Sequence, residues 1–155
     1  MATIKDALTD MSTRALLIED CTKLIDDEVE KKSGLSGVAI KTGYKLVKGL
    51  KPGFISEATD KLIDAFSERL QPIVDEAHEK GQGVAAYFES ERSRVAEAML
   101  SITDQRAEGA SHKAVQSMYL KLRPTAKKHV EQAASGVGRL FEKYSDRQAD
   151  TQTNK

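Results

Sequence analysis

Lysines recur at positions 41, 45, 48 and 51, inside a stretch from 34 to 56 that carries no acid. On a helix turning about 100° per residue, Lys45, Lys48 and Lys51 fall within roughly 80° of Lys41. A second basic cluster, Lys121, Arg123, Lys127 and Lys128, follows later in the chain. Lysine and arginine rows hold anions: nucleic-acid phosphates, anionic lipid headgroups or acidic protein surfaces. If the two segments meet, Lys45, Lys48, Lys51, Lys121, Arg123, Lys127 and Lys128 form one anion-binding surface. Pro124 suits the first turn of a helix, and free N–H groups there, beside Arg123, would add a perch for phosphate. The alternative is that these cations pair with acidic helices or stay solvated. Aromatic side chains are not interleaved with them, as stacking on bases would require.

Other chemistry-bearing residues form no recognised constellation. Glu91 falls in an apolar stripe with Val84, Phe88, Val95 and Ile102, where a lone carboxylate is costly to bury. Arg106 projects into the same stripe, so Glu91 and Arg106 are the candidate buried polar residues. Of His78, His112 and His129, only His78 follows a carboxylate at metal-ligand spacing, in Asp75-x-x-His78, and no second pair answers it. The letters Asp75-Glu76-Ala77-His78 lack the phosphate-binding loop that would make them a nucleotide motif. Cys21 lies on an apolar helical face, and no Gly-x-Ser-x-Gly elbow is present. The reading is of no catalytic residue, no metal and no cofactor.

The chain that must position these residues has 155 amino acids, one ordinary domain in length. Its 24 basic and 24 acidic residues balance, so bulk charge does not mark a nucleic-acid binder. The balance hides blocks. Residues 34–56 and 111–147 are basic, while 1–33, 57–80 and 81–110 are acidic. No apolar run approaches the roughly 20 residues of a membrane span. The first residues, MATIKDALTDMSTR, do not read as a secretory leader, and one cysteine fits a reducing, cytoplasmic setting.

Apolar residues recur at helical spacing throughout. The pattern predicts a short helix near 3–10, then a helix capped by Ser12 that runs to about Lys32, with Leu17, Cys21, Leu24 and Ile25 on one face. An amphipathic basic helix follows at 35–50, whose apolar side carries Leu35, Ala39, Leu46, Val47 and Leu50. Ser56 is the candidate cap of the next, with Leu62, Phe66, Leu70, Ile73 and Ala77 in line and a kink or junction at Pro72. A long helix spans 84–108, a shorter one capped by Ser111 ends at Arg123, and the last covers about 125–146. There Ala126, Val130, Ala133, Val137, Leu140 and Tyr144 form a heptad seam, and small residues Ala133, Ala134, Gly136 and Gly138 admit a close neighbour. The fold expected is all-α, a single antiparallel bundle of six or seven helices over 1–147, with a disordered C-terminal tail at 148–155. Each proline sits in a Leu-x-Pro context, the first and third with a tyrosine upstream, Tyr44 and Tyr119, a pattern compatible with a duplicated unit.

The segments GVAIKTGYKLVKGLKPGF and YLKLRPTAKKHVEQA resemble a family of small all-helical bacterial proteins, a domain of unknown function. The similarity covers most of the chain up to about Tyr144. It implies a bacterial, cytoplasmic, helical protein and carries over no activity, cofactor or site residue. The expectation is therefore a non-enzymatic helical binding or scaffolding module, with another protein or a second copy as partner. The alternative is an anion-surface binder acting through 41–51 and 121–128 on nucleic acid or anionic lipid.

Overall fold

A computed structural model describes residues 4–50 and 52–153 and is all-α, with seven helices among the described residues. They are α1 (Ile4–Thr9), α2 (Met11–Lys31), α3 (Gly34–Leu50), α4 (Phe54–Glu79), α5 (Val84–Ser90), α6 (Arg92–Glu108) and α7 (Lys113–Thr153). The chain divides into two compact units, 1–64 with 143–155, and 65–142. Both divisions fall inside helices, α4 and α7, so no Gly-, Pro- or Ser-rich segment marks them.

In the first unit, α2 is capped by Asp10 rather than Ser12. The Asp10 carboxylate accepts from the Thr13 amide at 3.1 Å and from the Ser12 hydroxyl at 3.1 Å. A charged oxygen one residue ahead of the helix outcompetes a hydroxyl already inside its first turn. Ile4, Ala7 and Leu8 of α1, Leu17 of α2 and Ile63 of α4 are buried. Arg14 joins α2 to α4, with its guanidinium 3.0 Å from both the Asp60 and Asp64 carboxylates.

In the second unit, Leu70, Ile73, Val74 and Ala77 of α4 supply one buried wall. Pro72 is exposed and sits within a continuous helix, not at a junction. The bond it deletes leaves the Glu68 carbonyl on a solvated face, where water replaces the lost donor. α4 ends at Glu79 and is closed by Gly81 (φ 66°), where Gln82 N–H donates to Ala77 O and Gly81 N–H to His78 O, the Schellman pattern.

The helix expected over 84–108 breaks at Glu91, whose backbone (φ −104°, ψ 25°) closes α5 and opens α6. Val84, Tyr87 and Phe88 are buried before the break, and Val95, Ala96, Leu100 and Ile102 after it. The expected pair of helices around Pro124 is instead one helix, α7, with the proline inside. α7 also continues through 148–153, most of the span read as a disordered tail; helix propagation adds one bond per residue once a turn exists. The last two residues of that span, Asn154 and Lys155, lie outside the described residues.

On α7 the buried residues are Ala134, Gly136, Gly138, Phe141 and Tyr144, while Ala133, Val137 and Leu140 of the expected seam are half-buried. The buried line is thus displaced by about one residue from Ala133 to Leu140, while Tyr144 of the seam is buried. Gly138 explains the shift: a Cβ there would lie 2.7 Å from Ala85 Cα, so the absent side chain lets α5 reach the α7 backbone. Beside that crossing, Phe88 and Phe141 rings meet at 5.7 Å. Glu142 accepts from the Ala85 amide at 2.9 Å, capping α5 in place of Gly83, which has no side chain to do so.

Candidate interaction surface

The acids of α2 and the lysines of α3 face one another. Asp26, Asp27 and Glu30 share the walls of an open groove of about 980 Å³ with Lys31, Lys41, Lys45 and Lys48. Tyr44 donates to Asp26 Oδ1 at 2.5 Å, and Lys48 reaches the same oxygen at 3.2 Å. The Tyr44 hydrogen bond, with Lys48 assisting, holds the Asp26 carboxyl below its ordinary range. Burial first, and Asp26 second, push the Tyr44 hydroxyl above its own. Gly37 packs where a Cβ would come within 2.7 Å of the Lys32 carbonyl carbon, so α3 starts close against the end of α2.

This pairing sets the rotation of α3. Gly37, Tyr44 and Lys48 make the attachment, and Leu35, Ala39 and Leu46 lie about 140–180° round the helix from them. Leu35 is 93%, Leu46 67% and Val38 63% exposed, and Ala39 is exposed as well. The apolar side therefore faces solvent, because charge pairing and a tyrosine hold the other side. The side chains of Val47 and Leu50 lie outside the described residues.

The candidate anion ligands separate into engaged and free cations. Lys48 is tied to Asp26. Lys51 lies outside the described residues. Lys45, and Lys41 beside it, are exposed and make no ion pair among the described residues. In the other unit, Arg123 donates to Asp104 at 2.8 Å and to Glu97 at 3.0 Å, and Lys127 reaches Glu97 at 3.0 Å. Arg123 and Lys127 are thus largely consumed, while Lys121 and Lys128 are exposed without an ion pair among the described residues. The phosphate perch beside Arg123 is absent, because Pro124 is interior to α7 and the amides after it serve the helix. The basic segments 41–48 and 121–128 belong to different units.

Glu91 is half-buried rather than sealed in, and Arg106 is exposed near the end of α6. The break at Glu91 resets the helical phase, and the stripe that included both residues does not persist. His78 and His112 are exposed and His129 is half-buried. Among the described residues no group of three or more His, Cys, Asp or Glu side chains is placed to hold a metal ion, and no helix is long and apolar enough to cross a membrane. Cys21 has its thiol pushed up to about 11 by burial, with Asp20 adding to the effect.

Sequence reasoning missed Asp26, Asp104, Glu76 and Glu142, each of which anchors a neighbouring helix. Their signal was faint: single acids, three on acidic segments and Glu142 on a basic one, distinguishable only once a tyrosine or amide arrives opposite. No curated protein and no solved structure matches the chain. A family model matches residues 4–145, and with that span covered the chain belongs to the family of unknown function DUF6918.

Proposed function

We propose that this protein is a non-enzymatic binding module that docks through the outward face of α3. The observation that carries the reading is the exposure of Leu35, Ala39 and Leu46 on a helix whose opposite side is already held by Asp26. Contiguous apolar surface on a small domain marks a place of contact, because water gains nothing from it. A protein partner, or a second copy, would cover it with an apolar groove.

A second reading, an anionic surface, draws support from Lys41 and Lys45, which are exposed on the groove between α2 and α3 and make no ion pair among the described residues. A photo-crosslinking residue in place of Leu46, in the full chain within cells, tests the docking face. The expected result is a discrete crosslinked species that disappears when the crosslinker is moved to exposed Glu68. Equal, diffuse labelling from both positions would overturn the reading.

A further inference from the structure

We propose that the groove between α2 and α3 is a self-complementary interface that receives a second copy of this chain. This surface is separate from the outward face of α3. Charge divides between its two walls. α2 carries six acids and three basic residues, whereas α3 carries three lysines and no acid. Within the groove, Asp26 is already held by Lys48, and Lys31 reaches Glu28 at 3.3 Å. Asp27 and Glu30 on one wall, and Lys41 and Lys45 on the other, are exposed and make no ion pair among the described residues. Four open charges, two of each sign, thus line one groove in facing rows.

An interface between identical copies related by a two-fold axis must complement itself, which a surface of one charge sign cannot do. A surface split into an acidic row and a basic row can. With the axis along the groove, α2 of each copy lies over α3 of the other, and each residue keeps its level along the helices. The levels agree. Asp26 contacts both Tyr44 and Lys48, and a Cβ on Gly37 would meet Lys32, so the antiparallel pair is in register between those points. A rise of about 1.5 Å per residue then sets Glu30 level with Lys41 and Asp27 level with Lys45, each within roughly two residues. Glu30 of one copy arrives over Lys41 of the other, and Asp27 over Lys45, with each pairing made twice. Val29 and Val38 line the same groove and add apolar area beside these pairs. The whole chain balances 24 basic against 24 acidic residues, so no net charge drives two copies apart. An unrelated partner would have to bring both rows at this spacing, whereas a second copy carries them by construction.

The test is sedimentation velocity of the full chain, from about 10 µM to about 500 µM in low salt, because exposed ion pairs are individually weak and give a loosely held dimer. A monomer-to-dimer shift is expected, and about 0.5 M salt should raise the dissociation constant tenfold or more. Lys41→Glu with Lys45→Glu should leave only monomer, and so should Asp27→Lys with Glu30→Lys. Circular dichroism should stay unchanged in both, because all four side chains are exposed. Mixed in equal amounts, the two variants regain complementary rows and should form a mixed dimer at least as tight as the wild-type one. A wild-type chain that stays monomeric throughout overturns the proposal. So does a dimer that survives either reversal; if Leu46→Ser removes it instead, self-association belongs to the outward face of α3. Failure of the mixture to dimerise would overturn it as well.

Discussion

The Tyr44 hydroxyl donates to the Asp26 carboxylate at 2.5 Å, across 18 residues of sequence, and Lys48 shares the same oxygen. Tyr119 repeats the relationship in the other unit, donating to Asp104 at 2.5 Å while Arg123 donates to that carboxylate at 2.8 Å. In both, tyrosine and cation are four apart on one helix and the acid stands on the preceding one. Tyr87 donates to Glu76, which also holds Arg94, and Tyr144 donates to Asp20, which also holds Lys143. All four tyrosines of the chain are thus joined to a carboxylate that carries its own cation. A tyrosine contributes apolar area while its hydroxyl and the cation replace the water that the carboxylate loses. In a chain with no tryptophan and 39% hydrophobic residues, this device supplements a modest core.

Tyr44→Phe should therefore loosen α3 from α2. Losing one hydrogen bond to a charged acceptor is worth about 1–2 kcal/mol. Hydrogen exchange should show faster exchange of α3 amides with α6 unchanged. Tyr119→Phe should spare α3.

Acid should weaken the second unit through Glu76. Arg94 first, and Tyr87 second, lower its carboxyl to about 2 from the ordinary 4.5. A carboxyl lowered by folding contributes stability fully above the unfolded value, and that contribution is lost as pH falls from about 4.5 towards 2. Thermal melts from neutral pH down through that window should show Tm falling within it, and Glu76→Gln should flatten the fall while lowering Tm at neutral pH.

Two glycines should respond to alanine with opposite signs. Gly138→Ala drives a methyl to 2.7 Å from Ala85 Cα and 3.0 Å from its amide nitrogen, both backbone atoms that cannot swing away. Overpacking of this kind costs about 1–3 kcal/mol, more than alanine's helix preference returns. Gly43→Ala meets nothing within 4 Å and should stabilise by up to about 1 kcal/mol. Urea denaturation midpoints measure both.

Cys21 should react slowly with an aromatic disulfide reagent. With its thiol pushed up to about 11, little thiolate exists near neutral pH, and burial limits access as well. The rate should rise to that of a free thiol on adding denaturant.

Helix identity was legible in the residues because apolar spacing near 3.6 repeats in every segment, and α1, α2 and α3 lie close to their expected spans. Breaks and joins were less legible. Pro124 reads locally as a helix start, yet Tyr119 and Arg123 before it are anchored to α6, which holds the chain helical through the proline at a cost of about 3 kcal/mol. The Leu-x-Pro contexts also mean different things: Pro52 follows α3 in a turn, whereas Pro72 and Pro124 lie within helices.

By itself, the sequence determined that the chain is helical, where its charge blocks fall and which residues share a helical face. Those follow from local propensity and from angles along one axis. Only the tertiary structure decided which face of α3 turns outward, that Glu91 ends one helix and starts another, and that the close neighbour Gly138 admits is Ala85 of α5. A periodic pattern relates residues on one helix but leaves its rotation against a neighbour open. For α3, that rotation was settled by Asp26 accepting from Tyr44 and Lys48, a pairing between two helices that no spacing within either one records.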